Sequence, residues 1–192
     1  MSPIIRSEEG ERQAIFDAAR FMQVAARTAP KAYGINDIFT LIVYGEEKNA
    51  IAKVMEEIAE ERKIDLFKRD AKNVRDSEAV FLIGVKGDKS TGLNCGACGY
   101  KDCKEFDGME KRSGHDFKGP TCIFKAINFG IAIGSAVKIA SILNIDNRVM
   151  YRVGTAAMKM NLIPDATIIL GIPLSARGKN IYFDRIWPIT SK

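Results

Sequence analysis

Apolar residues recur at three-and-four spacing through residues 8–29, where Ile15, Ala18, Ala19, Met22, Ala25 and Ala26 share one face and Pro30 closes the segment. That periodicity predicts an amphipathic helix. The β-branched and aromatic run 38–44 predicts a buried strand, and 46–62, with Ile51, Val54, Met55 and Ile58 as its stripe, a second helix. A short helix is expected over 67–76 and a buried strand over 79–85, AVFLIGV. Beyond the Cys-rich stretch, 122–143 predicts a long apolar core helix and 149–162 another, ended by Pro164. Strands are expected over 166–174 and 180–185. The order α-β-α-α-β, insert, α-α-β-β predicts an α+β fold of mixed α/β layers in one domain, 1–192.

Between the second strand and the long helix the pattern breaks. Residues 86–120 are rich in Gly, Lys, Asp and Cys and hold neither a period of 2 nor one of 3.6. A loop of this length is improbable in a compact domain unless something organises it. All four cysteines fall here or at its edge, and none elsewhere, so the organiser is expected to be a metal. The spacing is C-x2-C-x4-C-x18-C: Cys95, Cys98, Cys103 and Cys122. Thiolates are soft ligands that select iron–sulfur clusters, zinc or copper(I), and four cysteines are the usual complement of an iron–sulfur cluster. Gly96 and Gly99 let a tight loop wrap a bulky centre, and Cys122 is expected at a helix N-terminus, where partial positive charge favours a thiolate. Structural zinc is the main competitor, but its four-thiolate sites usually pair two short knuckles. The one histidine, His115, reads as a solvated loop residue that could replace a thiolate.

Composition narrows the remaining classes. Hydrophobic residues make up 46% and charged residues 28%, an ordinary globular balance. The net charge of +5 is spread among acids, with no basic block interleaved with aromatics, so no nucleic-acid partner is expected. The stretch 129–143 is interrupted by Gly130, Gly134, Ser135, Lys138 and Ser141, and the N-terminus lacks the order of a signal peptide. The expectation is therefore a cytoplasmic protein with no membrane span. Its partner would be a redox protein or a small-molecule electron acceptor. No paired acid and base can be named from the sequence.

Two resemblances add to this reading. The run from Asn94 to Cys103, NCGACGYKDC, resembles the C-G-x-C-G-Y-x-x-C run of the small [4Fe-4S] module in B subunits of ion-pumping electron-transport complexes and in corrinoid iron–sulfur proteins. Carried over, it implies Cys95, Cys98, Cys103 and Cys122 as ligands and residues 86–122 as the inserted module. The module usually continues C-x-P-G-G after its fourth cysteine, whereas here Cys122 is followed by Ile123 and Phe124. The flanks resemble the FMN-dependent nitroreductase fold. The segment from Ala29 to Asp37 looks like its A-P-S-x-x-N-x-Q-P-W stretch, 122–143 like its central helix, and 162–185, with Gly171-Ile172-Pro173, like its closing segment. The whole chain is similar to an uncharacterised prokaryotic family described as containing a ferredoxin domain. The resemblance implies helices on a central, mostly antiparallel sheet, a flavin pocket at a homodimer interface, and Asn36, Arg177 and Lys179 as residues toward FMN. The N-terminal R-R-S phosphate grip is matched only by Arg6-Ser7.

Overall fold

A computed structural model of the chain describes residues 3–183. The elements are α1 (Ser7–Thr28), a single 3-10 turn at Ala32–Gly34, β1 (Ile38–Tyr44), α2 (Gly45–Arg62), α3 (Leu66–Asp76), β2 (Ala79–Val85), α4 (Cys103–Gly108), β3 (Arg112–Ser113), β4 (Lys118–Gly119), α5 (Ile123–Ile142), β5 (Asp146–Asn147), α6 (Tyr151–Lys159) and β6 (Ile168–Ser175). The main sheet runs β1-β2-β6-β5 with every pairing antiparallel, and β3 and β4 form a separate two-residue hairpin.

Strand alternation explains how one sheet serves two cores. On β2 the odd residues Ala79, Phe81, Ile83 and Val85 pack under α1 and α5. The even residues Val80 and Leu82 pack under α2, α3 and α6. A strand sandwiched between helical layers has no polar face, which is why 79–85 reads as an unbroken apolar run. Helix α6 comes unusually close to β6. A methyl built on Gly154 would stand 1.7 Å from the Ile169 carbonyl oxygen, and one on Gly171 2.1 Å from Val153 Cγ1. Between them Met150 and Gly171 exchange backbone hydrogen bonds of 2.7 and 3.1 Å. On the same layer, buried Lys48 donates to the carbonyls of Val74 (2.9 Å) and Arg75, closing the C-terminus of α3. Burial holds its ammonium below the usual range.

The pattern misleads at four places. β1 is an edge strand rather than a buried one, with Leu41 and Tyr44 exposed, because hydrophobic content cannot distinguish a centre from an edge. Residues 181–183 form bends and 180 has no regular structure, in place of the expected strand, and 184–185 lie outside the described residues. The fourth strand of the sheet is instead β5, two residues long and too short for any periodicity. α6 begins and ends inside the expected 149–162. By length and composition alone α5 could also cross a membrane, with mean hydropathy 1.5, a test that the core helix of a folded domain passes as well. One face, through Phe129, Ala132, Ala136 and Ala140, is buried against α1, while Ile127, Ile131 and Ile142 are exposed. With Phe21 and Val24 of α1, they make an apolar outer face.

Candidate metal centre

The ends of β2 and β6 form the floor of the cysteine region. Beyond Val85, the Gly87 N–H donates to Thr167 Oγ1 (2.9 Å), whose hydroxyl donates to the Val85 carbonyl (3.1 Å). Gly87 then accepts the N–H of Cys122 at 2.9 Å. A methyl on Gly87 would lie 2.6 Å from Thr121 Cγ2, so only glycine allows the two segments to meet. Cys122 is the residue that begins α5, as its sequence context predicts.

Local polar chemistry shapes the insert, which is less irregular than its composition suggests. Asp102 accepts the Glu105 N–H (2.8 Å) and Glu105 accepts the Lys101 N–H (2.6 Å), a reciprocal arrangement that starts α4 at Cys103. Ser90 donates twice to Asp107, tying the loop's entry to the same helix. Gly96 and Gly99 have φ of 69° and 86°, the left-handed conformation glycine adopts without cost. Asn94, also left-handed at φ 49°, accepts the Cys103 N–H (2.9 Å) through its side chain and donates its own N–H to the Cys103 sulfur (3.2 Å). Phe106, fully buried, anchors α4 edge-on to Tyr100, with Lys111 over its ring at 3.9 Å.

The outcome is one shallow concavity lined by all four cysteines together with Thr91 and Phe106. Cys95 is exposed, Cys98 and Cys103 are half-buried, and Cys122 is buried. Thr91 lies in hydrogen-bond contact with the Cys122 sulfur at 3.6 Å. Burial pushes the Cys122 thiol up, but Thr91 and the N–H groups of Phe124 and Lys125 at the start of α5 outweigh it. The net effect holds the thiol below the usual range, toward the thiolate that metals bind. Among the described residues, no three side chains of His, Cys, Asp and Glu converge closely enough to hold a single metal ion. Soft donors around one concavity, glycine turns and N–H groups directed at sulfur fit a cluster.

A second group clasps the insert to the scaffold. Arg62 of α2 donates to Asp116 Oδ1 and to the His115 carbonyl (3.1 Å), and Tyr151 of α6 donates to Asp116 Oδ2. His115 is thus exposed beside the clasp and does not line the cysteine concavity. Burial pushes the Asp116 carboxyl up, but the bonds from Tyr151 and Arg62 prevail and hold it below the usual range. A carboxyl depressed in the folded state adds stability that is complete above its unfolded value, near 4, and is lost as pH falls through the folded value. Asp116→Ala should cost about 2–3 kcal/mol at neutral pH by urea unfolding, because it strands a partly buried guanidinium. The gap between variant and wild type should close below about pH 4. An equal gap at pH 7 and pH 3 would contradict the ion-pair account.

The three residues expected toward FMN do not meet within the chain. The register aligns Ile38, Val85 and Ile168 at one end of the sheet and Tyr44, Ala79 and Leu174 at the other. Asn36 lies at the first end, and Arg177 and Lys179 beyond the second, a strand length of roughly 20 Å away. Asn36 donates to the Ile38 carbonyl (3.5 Å). Arg177 is engaged with the Asp76 carbonyl and Glu78, and Lys179 is on the exposed loop after β6. These residues form no flavin cradle in one protomer.

The architecture, helices on both faces of an antiparallel sheet, is that of the nitroreductase fold. The chain superposes on "The crystal structure of the oxidoreductase containing FMN" with TM-score 0.54 and 13% identity, over 93% of this chain and 70% of that one. It superposes on nitroreductase CinD from Lactococcus lactis in complex with chloramphenicol with TM-score 0.53 and 12% identity, over 91% and 81%. A nitroreductase in complex with FMN from Desulfovibrio desulfuricans gives 0.52 and 11%, over 97% and 83%. At such identities the likeness is one of fold. Within it, the model of the family described as "Uncharacterized protein containing a ferredoxin domain (DUF2148)" matches residues 118–185, about a third of the chain. An uncharacterised protein from Archaeoglobus fulgidus is 48% identical over 182 residues, 95% of this chain and 97% of that protein. The family match includes Cys122 but not the other three cysteines.

Proposed function

We propose that the protein is an iron–sulfur electron carrier in which Cys95, Cys98, Cys103 and Cys122 hold one [4Fe-4S] cluster in the module 86–122. The observation that carries this reading is that four thiols, the chain's only ones, line a single concavity. The family's ferredoxin-domain description supports it. A bound cluster would supply one-electron chemistry. The chain's own residues divide the remaining work. Cys95 presents an exposed edge toward a one-electron partner, while Thr91, Asn94 and the first turn of α5 hold the sulfurs and exclude water on the inner side.

Anaerobic purification followed by iron and sulfide analysis and an absorption spectrum tests this. Four irons per chain with a broad visible shoulder are expected. Stoichiometric zinc without iron would overturn the reading in favour of a zinc-stabilised interaction scaffold.

A flavin reductase fed through the cluster is the second reading, favoured by the fold shared with FMN-containing structures. The scattered positions of Asn36, Arg177 and Lys179 do not support it within one chain. Titration with FMN to tens of micromolar decides: the carrier reading expects no quenching of flavin fluorescence.

A second copy of the chain is the proposed partner for the apolar outer face of α1 and α5. Light scattering should give about twice 21.2 kDa, and Ile131→Glu should halve it, since a charge there would be desolvated by the contact. A wild-type monomer would exclude the arrangement. Cytoplasmic location is proposed from the sequence and fits a labile cluster in a reducing compartment.

A further inference from the structure

Lys125 is among the largest fully buried side chains of the molecule, 2% exposed, in the first turn of a helix whose buried face is otherwise apolar apart from Asn128. It donates to the Asp37 carboxylate, 88 positions away in sequence, on the turn that enters β1. Burying an ion pair costs several kcal/mol of desolvation per charge and commonly yields little net stability, so its presence in a core needs a reason. Its position suggests one.

A closed ring of contacts runs through the pair and Cys122. The Asp37 carbonyl accepts the Lys86 N–H (3.0 Å), and the next residue, Gly87, accepts the N–H of Cys122 (2.9 Å). Cys122 begins α5, one helical turn before Lys125. Lys125 Nζ then returns to Asp37. Cys122, the most buried of the four thiols, is therefore fixed on both sides by segments that the ion pair ties together. A group that touches two anchors of a metal ligand governs both its placement and the local field.

We infer that Lys125 and Asp37 are positioning residues that set the reduction potential of the metal centre, with Lys125 favouring the reduced state and Asp37 moderating it. This inference rests on the proposed cluster. A [4Fe-4S]2+ core held by four thiolates would carry a net charge of −2, and one electron from an external one-electron reductant would bring it to −3, with no proton taken up and no bond broken. In a low-dielectric interior the Lys125 ammonium stabilises the added negative charge, and the Asp37 carboxylate partly cancels that effect. The pair thus keeps a paired cation in the first turn of the helix that Cys122 begins.

The test is an anaerobic redox titration with dithionite, followed by electron paramagnetic resonance, on wild type, Lys125→Met and Asp37→Asn, with iron content and thermal unfolding measured in parallel. Lys125→Met should make reduction at least tenfold less favourable, a fall of about 59 mV for a one-electron couple, and Asp37→Asn should shift the potential upward. Both variants keep side-chain volume, and Lys125→Gln serves where methionine weakens cluster loading. Opposite shifts with full iron content support the inference. Unchanged potentials, with full iron and lowered unfolding temperatures, would reduce the pair to a pin between α5 and β1 and overturn it while leaving the cluster assignment standing. An iron-free wild type would instead overturn the cluster reading itself, and this inference with it.

Discussion

Cys98→Ala protein, purified without oxygen, should retain less than roughly a tenth of the wild-type iron, since even residues that merely orient ligands cost 10–100-fold when lost. The physical reason lies in how little else orders the loop. Residues 88–102 contain neither helix nor strand, and their internal order rests on short polar contacts such as Gly99 N–H to the Gly96 carbonyl (2.9 Å). Metal binding and folding of such a loop are coupled, so removing one ligand removes the energy that orders the rest. Limited proteolysis should cut the variant within 88–102 and spare the wild type. The sheet and its two cores should survive, because Cys98 touches neither. Equal iron content and equal protease resistance would mean that Cys98 is not a ligand.

Gly154→Ala should destabilise the fold by about 3 kcal/mol or more, whatever metal is bound. Ordinarily an alanine in mid-helix is about 1 kcal/mol better than glycine. At this position the added methyl would fall 1.7 Å from the Ile169 carbonyl oxygen and 2.9 Å from the Leu170 Cα, both backbone atoms that cannot rotate away. Helix α6 would have to lift off β6 and break the paired bonds between Met150 and Gly171. Gly10→Ala in α1 is the matched control: its methyl would meet only Ile5 Cγ2 at an ordinary 3.5 Å, and should be neutral or stabilising. Urea unfolding of the two variants should therefore differ in sign. Two variants of equal stability would mean that α6 does not pack at this distance.

Much of the scaffold was readable because its periods are long. The three-and-four spacing of Ile15, Ala18, Ala19, Met22, Ala25 and Ala26 places α1 within a residue of its observed start and end, and all of these but the half-buried Ala25 are the residues it buries. The run AVFLIGV marks the central strand because both its faces are covered. The thiols were legible too, since cysteines confined to one short stretch of a reduced chain point to a shared metal. Thr91 and Asn94 were not, because a lone Thr or Asn in a polar loop carries no periodic signal. Lys125 left a trace, a charge within an otherwise apolar stretch of helix, but nothing near it in sequence names Asp37 as its partner.

The sequence alone determined most of the elements, the layered α+β class and the four candidate soft donors, since all of these follow from local spacing and side-chain chemistry. Tertiary structure decided which residues share a site. The register of three antiparallel strands sends Asn36 to one end of the sheet and Arg177 to the other, and it brings Gly87, Cys122 and Asp37 together. Strand order and helix approach are set by contacts between residues far apart in the chain, and such pairings have no local period to betray them.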